Sequence, residues 1–270
     1  MDNKSGAAKA ARDLRALRSA RPLVHNITNY VVMNTVANAL LATGASPVMA
    51  HASEEVEEMV SLAQALVLNI GTLSPSLVDS MLKAGKAANK RGVPVVLDPV
   101  GAGATSLRTN TALRLLESIN IAVLRGNASE ILSLTGIETA TKGVDSIHKV
   151  EDVSGAVLSL AGSSGTVVVI TGERDLVMGP DGKVVNVFNG HRWMGLVTGS
   201  GCAASALIGA FLAVDNDPVS ASASALAFFG LAGEIAAAAA LGPASFQVGL
   251  LDELYRIRAE QLEEGAKIIS

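Results

Sequence analysis

Residues 66–98 read LVLNIGTLSPSLVDSMLKAGKAANKRGVPVVLD and predict a strand, a helix and a second strand in succession. The two ends, Leu66–Ile70 and Pro94–Asp98, are short continuous apolar runs, which is typical of strands buried on both faces. Between them, Pro75–Arg91 has apolar residues at helical spacing. A strand, a helix and a strand in this order form the unit of a mostly parallel sheet.

The same alternation continues on both sides of this unit. Further strands are predicted at Pro47–Ala50, Ile121–Arg125 and Thr166–Thr171. Further helices are predicted at Asn34–Thr43, Ser53–Gln64, Thr111–Ser118, Ser129–Thr135 and Val150–Ala161. We therefore expect an α/β fold in which helices flank both faces of a central, mostly parallel sheet.

The pattern changes after Thr171. Residues 175–178 and 183–188 flank Gly179-Pro180-Asp181-Gly182, a turn signal that predicts a β-hairpin. From Cys202 onward the chain is predicted to be helical, over Cys202–Val214, Pro218–Ala240 and Ser245–Glu264. Because no linker or repeat divides the chain, we expect residues 1–270 to form a single domain with a helical C-terminal third.

The composition favours a large core and gives no sign of nucleic-acid binding. Apolar residues make up 49% of the chain and charged residues 17%, and the net charge is -4 without a basic block. A nucleic-acid surface would need a basic patch, so we expect none. The only cysteine, Cys202, has no partner for an internal disulfide and fits a reducing compartment. The first 21 residues have no apolar signal core, so we expect a cytoplasmic protein.

Val219–Gly242 is long and apolar enough to resemble a membrane span. It consists mostly of Ala, Ser and Gly, which gain little in lipid, and its single charge, Glu234, would lie inside the bilayer. We expect a buried helix of a soluble protein and no membrane association.

Thr198-Gly199-Ser200-Gly201-Cys202-Ala203 leads directly into an apolar helix. Glycines allow a ligand to approach the backbone, and free amides at a helix start attract anions. This predicts an anion site at the amides of Ser200, Gly201 and Cys202, with an ordinary glycine-rich turn as the alternative. The helix dipole should lower the pKa of the Cys202 thiol. Cys202 is then a proton acceptor, or else a small core residue.

Two familiar nucleotide motifs do not account for this turn. The chain has no G-x-x-x-x-G-K-[ST] motif, so it is not a P-loop NTPase. Gly199, Gly201 and Ala204 match the dinucleotide fingerprint by spacing, but no second strand with an acidic end follows them. An NAD-dependent oxidoreductase is therefore disfavoured.

Polar residues close three of the predicted strands, where open α/β sheets bind their ligands. They are Asp98, Arg125 and Thr171, and Glu130 follows Arg125 at the start of a helix. Asp98 and Glu130 suit a Mg²⁺ ion held through water, and Arg125 suits a phosphate group. Taken singly, each acid also fits a structural role at a turn or a helix start.

Nearer the N-terminus, Asn26 and Met49 are candidate ligand contacts. Asn26 offers a donor and an acceptor to a small ligand, with an Asx-turn as the alternative. Met49 is either a pliable apolar wall of a pocket or a core residue.

Five stretches together resemble the hydroxyethylthiazole kinase family, the thiamine-salvage member of the ribokinase-like superfamily. They are Val24–Asn29 (VHNITN), Gly44–Met49 (GASPVM), Leu97–Ala102 (LDPVGA), Arg125–Glu130 (RGNASE) and Thr198–Cys202 (TGSGC). Ser200 stands where this family more often has Thr.

The resemblance implies a ribokinase-like fold and transfer of the ATP γ-phosphoryl group to the hydroxyl of 4-methyl-5-(2-hydroxyethyl)thiazole. It also implies a need for Mg²⁺ and a homotrimer whose active sites lie between subunits. The alternative is a ribokinase-like kinase of another heterocyclic alcohol, of the hydroxymethylpyrimidine or pyridoxal type.

The resemblance also implies roles for ten residues. Asn26, Met49 and Gly199 match thiazole-side residues, Arg125 and Thr171 match the ATP phosphate side, and Asp98 and Glu130 match the acids that organise Mg²⁺. Ser200, Gly201 and Cys202 match the catalytic turn, and many superfamily relatives have a catalytic aspartate where Cys202 stands.

Overall fold

A computed structural model describes residues 3–136 and 148–270, with the side chains of 148–153 left out. Its strands are β1 Leu23–Ile27, β2 Ser46–Val48, β3 Ala65–Asn69, β4 Val95–Asp98, β5 Val123–Asn127, β6 Val167–Thr171, β7 Asp175–Met178, β8 Val184–Val187 and β9 Ile268–Ile269. Its helices are α1 Asn3–Ala20, α2 Met33–Thr43, α3 Val56–Leu62, α4 Pro75–Arg91, α5 Ser106–Ser118, α6 Ala128–Ser133, α7 His148–Ser164, α8 Ser200–Leu212, α9 Pro218–Ala239, α10 Pro243–Arg256 and α11 Ala259–Gly265, with a 3₁₀ helix at Arg192–Leu196.

The strands form one sheet in the order β2-β1-β3-β4-β5-β6-β7-β8-β9. All pairs from β2 to β6 are parallel, and all pairs from β6 to β9 are antiparallel. One face of the sheet packs against α1, α2 and α8–α11, and the other packs against α3–α7. The predicted α/β fold, with a mostly parallel sheet and helices on both faces, is confirmed.

Most of the predicted elements are present, with bounds that differ by a few residues. The helix at Pro75–Arg91 is an exception and has the predicted bounds, because Ser74 caps its start and Gly92 ends it at φ 69°. The hairpin is also confirmed, since Met178 pairs with Val184 across an antiparallel turn.

The prediction of one helix at Ser245–Glu264 is wrong. The chain leaves the helical region at Ile257, and α10 and α11 are separate helices. Ile257 is buried, and the guanidinium group of Arg18 donates to the carbonyl oxygens of Leu254 at 2.9 Å and Ile257 at 2.7 Å. A cation from α1 therefore satisfies the free carbonyls at the end of α10, where no glycine or proline marks the break.

The apolar helix α9 is part of the core. It is the one helix among the described residues that could cross a membrane by length and composition, and 78% of its apolar window is buried inside the fold. It packs against α1, α8 and α10. This agrees with the expectation of a buried helix.

Strand β1 and helix α1 were not predicted from the sequence. The polar residues His25 and Asn26 interrupt the apolar run of β1, although both are fully buried in the sheet. In α1 the buried residues recur at helical spacing, but most of them are alanine or glycine, which contrast less with polar neighbours than larger apolar residues do.

Candidate active site

One face of five neighbouring parallel strands ends in a row of polar side chains. On each strand, a valine in the core beneath α8 is followed two residues later by a polar residue on the same face. These pairs are Val24 and Asn26, Val67 and Asn69, Val96 and Asp98, Val123 and Arg125, and Val169 and Thr171. We call Asn26, Asn69, Asp98, Arg125 and Thr171 the polar row.

Helix α8 begins above the polar row with two free amides. Gly199 precedes it at φ 90°, and a Cβ atom there would lie 3.0 Å from the side chain of Val32. Within the described part of the chain, the amides of Gly201 and Cys202 have no acceptor. The amide of Ser200 already donates to the carbonyl oxygen of Val197 at 3.3 Å. The predicted anion turn is thus formed by two free amides at a helix start rather than three.

Arg125 connects the polar row to this turn. Its guanidinium group donates to the hydroxyl of Thr171, and its Nη1 atom lies 3.8 Å from Oδ2 of Asp98. A Cβ atom on Gly201 would lie 2.7 Å from Nη1 of Arg125, so a side chain there would displace the guanidinium group from this position. Arg125, Thr171 and Gly201 border a cavity of about 850 Å³ that is also lined by Ser200 and Asp175. The cavity therefore has a cation and a helix start at one end.

Asp98 is a fully buried carboxylate at the centre of the polar row. Its Oδ2 atom accepts hydrogen bonds from Nδ2 of Asn69 at 2.9 Å and from the hydroxyl of Ser205 at 2.8 Å. Its Oδ1 atom is buried and has no partner among the described residues. Burial raises the pKa of Asp98 to about 6, although Arg125 opposes the shift.

The Cys202 thiol is protonated at neutral pH, which contradicts the expected thiolate. Burial and the neighbouring Asp98 raise the pKa of Cys202 to about 11, and the hydrogen bonds from Asn69 and Asn29 only partly offset this. The Nδ2 atoms of Asn69 and Asn29 lie 3.2 Å and 3.5 Å from Sγ. The pKa of Cys202 is therefore shifted by loss of water and by Asp98 in the direction opposite to that expected from its place at a helix start.

Glu130 is committed to the backbone. Its two carboxylate oxygens accept from the amides of Gly101 and Asn127, both at 2.8 Å, and the Asn127 side chain accepts from the amide of Glu130 in return. This capping box places the carboxylate beside the loop that follows Asp98. Glu130 lies close enough to raise the pKa of Asp98 electrostatically.

The two predicted thiazole-side residues of the N-terminal region lie at the ends of β1 and β2. Asn26 is fully buried, and its Nδ2 atom donates to the carbonyl oxygen of Val24 at 2.9 Å. Its Oδ1 atom has no partner among the described residues. Met49 follows β2, is half-buried and packs against the core beneath α8.

Asn69 is the member of the polar row that sequence reasoning missed, because it lies within a predicted strand. The recurring spacing of a valine and, two residues later, a polar residue at the strand end would have identified it.

The overall fold is similar to that of proteins of known structure. A ribokinase-like superfamily protein from Enterococcus faecalis superposes with a TM-score of 0.61 at 14% identity, covering 94% of this chain and 84% of its own. The fold is therefore ribokinase-like.

Closer relatives define the family. Residues 14–260 match the model of the Hydroxyethylthiazole kinase family. A hydroxyethylthiazole kinase from Desulfotalea psychrophila is 56% identical over 96% of this chain and 94% of its own length. The structure of a hydroxyethylthiazole kinase protein from Pyrococcus horikoshii superposes with a TM-score of 0.88 at 48% identity, covering 96% of this chain and 98% of its own. The chain belongs to the hydroxyethylthiazole kinase family.

Proposed function

We propose that the chain transfers the γ-phosphoryl group of ATP to the hydroxyl group of 4-methyl-5-(2-hydroxyethyl)thiazole. The proposal rests on one observation. The guanidinium group of Arg125 lies beside the start of α8, where the amides of Gly201 and Cys202 are free, above the buried carboxylate of Asp98. Phosphoryl transfer depends mainly on positioning and on neutralising charge on the phosphate oxygens. A guanidinium group and two helix-start amides supply that neutralisation.

ATP would occupy the cavity of about 850 Å³, with its phosphates directed towards the start of α8. Arg125 would bind the phosphate chain, and Thr171 holds the guanidinium group in place through its hydroxyl. The thiazole alcohol would lie on the other side of the turn, near Asn26, Met49 and Gly199. The unpartnered Oδ1 atom of Asn26 is available as an acceptor there.

The acidic residues fit a Mg²⁺ ion that is held mainly by the phosphates. Oδ1 of Asp98 is a free, buried carboxylate oxygen, and Glu130 adds negative charge nearby. Among the described residues no group of three potential ligands comes together. This agrees with the usual mode, in which Mg²⁺ takes one or two carboxylates and shares the phosphates. When bound, the ion would neutralise charge on the phosphates.

The proton of the alcohol has two possible acceptors at this site. Cys202 is protonated near neutral pH and is therefore not the initial base. The carboxylate of Asp98 is ionised above about pH 6. In a loose transition state the alcohol keeps its proton until late, so a weak base suffices. We assign the late proton transfer to Asp98, and the free amides of Gly201 and Cys202 hold the phosphoryl group.

The family relationship supports two further proposals. We infer a homotrimer with active sites between subunits, consistent with the large exposed apolar residues Tyr30, Val31 and Leu196 near the site. Sedimentation should then give a mass three times 27.5 kDa. We also infer a cytoplasmic enzyme that binds neither nucleic acid nor membranes.

The proposal is tested with a panel of alcohols and ATP-Mg²⁺. The expected result is the highest kcat/KM with 4-methyl-5-(2-hydroxyethyl)thiazole. Hydroxymethylpyrimidine and pyridoxal should be poor substrates. A preference for either of these two would replace the proposed acceptor, and ADP formation that no alcohol accelerates would refute the kinase.

A further inference from the structure

Asn69 lies at the centre of the site, outside the lining of the cavity, and contacts the glycine-rich turn only through Cys202. It is the last residue of β3 and pairs in register with Asp98 on β4. Registered residues of parallel strands point to the same face, so both side chains lie beneath α8. Only 1% of Asn69 is exposed, so water does not substitute for its amide group.

All four hydrogen-bonding positions of the Asn69 amide are used. Nδ2 donates to Oδ2 of Asp98 at 2.9 Å and to Sγ of Cys202 at 3.2 Å. Oδ1 accepts from Nδ2 of Asn29 at 2.9 Å and from the backbone amide of Gly71 at 3.0 Å. This matches the full capacity of an amide side chain.

The orientation of the amide follows from the Gly71 contact. A backbone N–H only donates, so the atom that faces it must be the carbonyl oxygen of Asn69. The NH₂ group is therefore directed at Asp98 and Cys202. A flipped amide would place its oxygen against the carboxylate of Asp98 and its NH₂ group against the amide of Gly71, so the hydrogen bonds with both would be lost.

We propose that Asn69 is a positioning residue of the kinase, which fixes the carboxylate of Asp98 and the thiol of Cys202 relative to each other. This rests on the proposed function, because it assigns a role within the same site. Asn69 is not a catalytic residue, since it acts only through the two groups that it holds.

The expected effect concerns kcat rather than binding. Asn69 lies away from the two proposed substrate pockets, so Asn69→Ala should leave both KM values within a few-fold. The loss of a group that orients a functional carboxylate typically lowers activity on the order of 10- to 100-fold.

Asn69→Asp is a second variant of nearly the same shape. At neutral pH it places a second carboxylate beside Asp98, and activity should be lower than in Asn69→Ala. Both KM values should again stay within a few-fold, because the proposed substrate pockets are unchanged. A merely structural asparagine would not lower kcat in folded variants while leaving both KM values unchanged.

Asn89→Ala is the matched control. The Asn89 side chain donates to the carbonyl oxygen of Asn120 at 2.9 Å and accepts from its amide at 2.8 Å, at the end of α4 and away from the polar row. This variant also loses the bonds of a side-chain amide, and it should change Tm without changing kcat or its pH dependence.

Alkylation of Cys202 gives a readout that needs no substrate. Cys202 is the only cysteine of the chain, so iodoacetamide labelling reports on this thiol alone. Without the Asn69 donor the thiol pKa rises, and the alkylation rate at a fixed alkaline pH should fall several-fold.

The outcomes separate this inference from the proposed function. A wild-type protein that phosphorylates no alcohol refutes the function, while the alkylation rates still test Asn69. If Asn69→Ala does not fold, Asn69→Asp carries the test through its kcat and KM values. Wild-type kcat and alkylation rate in folded Asn69 variants would overturn the inference.

Discussion

Asp98 is an ionisable group whose burial has a cost in stability and a use in catalysis. Its carboxylate is fully buried, and one of its oxygens has no partner among the described residues. A buried charge of this kind is retained where it acts on a ligand. We therefore expect that the ionised carboxylate of Asp98 lowers the stability of the fold and is needed for activity.

Asp98→Asn should abolish activity and raise stability. The folded pKa of about 6 exceeds the ordinary aspartate value of 3.8, so the native state loses stability as pH rises from the lower value through the higher. At neutral pH the neutral amide should increase the free energy of unfolding by on the order of 1–3 kcal/mol. Thermal unfolding of both proteins checks this, and a lower Tm in the variant would contradict it.

The pH profile of the wild-type enzyme should follow Asp98 and not Cys202. We expect kcat/KM to rise with pH through about 6, as Asp98 ionises, and then to stay level because the thiol titrates only near 11. A rise in activity around the pKa of an ordinary cysteine would show that the thiolate is the base after all.

Gly201→Ala should weaken ATP binding through Arg125. The new methyl group would meet Nη1 of Arg125 at 2.7 Å and displace the guanidinium group from the phosphate site. A charge-assisted hydrogen bond contributes about 1.5–3 kcal/mol, so the KM for ATP should rise on the order of 10- to 100-fold. Gly155→Ala on α7 is the control, since no atom of the described residues outside its own helix backbone lies within 4 Å of the new methyl group. An unchanged KM for ATP in Gly201→Ala would show that Arg125 does not bind the phosphates.

Helix α8 can present its amides to the polar row because it packs very closely on the sheet. A Cβ atom on Gly209 would lie 2.8 Å from Cγ2 of Val67 and 3.5 Å from Cγ1 of Val24. The stiff valine side chains of β1 and β3 cannot move aside easily. Gly209 therefore sets the height of the helix above the row.

Gly209→Ala should destabilise the fold and impair the site together. Overpacking costs about 1–3 kcal/mol, which outweighs the helix propensity that alanine adds. Denaturant unfolding checks this against Gly155→Ala, which gains the same propensity without a clash. Equal stability of the two variants would show that α8 has room to move.

The strands that sequence analysis located are those with continuous apolar runs, such as Leu66–Ile70. Strand β1 was not predicted because the buried polar residues His25 and Asn26 interrupt its apolar run, and a local pattern with two polar residues resembles a loop. The break between α10 and α11 depends on Arg18, which is distant in sequence. The pKa of Cys202 likewise depends on burial and on Asp98, which no local pattern contains.

In the whole molecule, the sheet connects every described part of the chain. Strand β9 near the C-terminus pairs with β8, and α1 packs against α9 and α11, so both ends belong to the same layered core. We propose that residues 1–270 form a single domain.

A single domain should unfold in one transition. Trp193, the only tryptophan, lies in the 3₁₀ helix beside the cavity, and its fluorescence reports on the C-terminal part. Far-ultraviolet circular dichroism reports on the whole chain. The two denaturation curves should coincide, whereas separate midpoints would indicate independently folding parts.

The central claim is that phosphoryl transfer to the thiazole alcohol takes place at the polar row. ³¹P NMR of ATP-Mg²⁺ and 4-methyl-5-(2-hydroxyethyl)thiazole follows donor and product in one sample. With the wild-type enzyme we predict equal growth of ADP and a phosphate monoester, and with Asp98→Asn neither should form at a comparable rate. ATP loss that yields only inorganic phosphate, or an Asp98→Asn variant as active as the wild type, would contradict the claim.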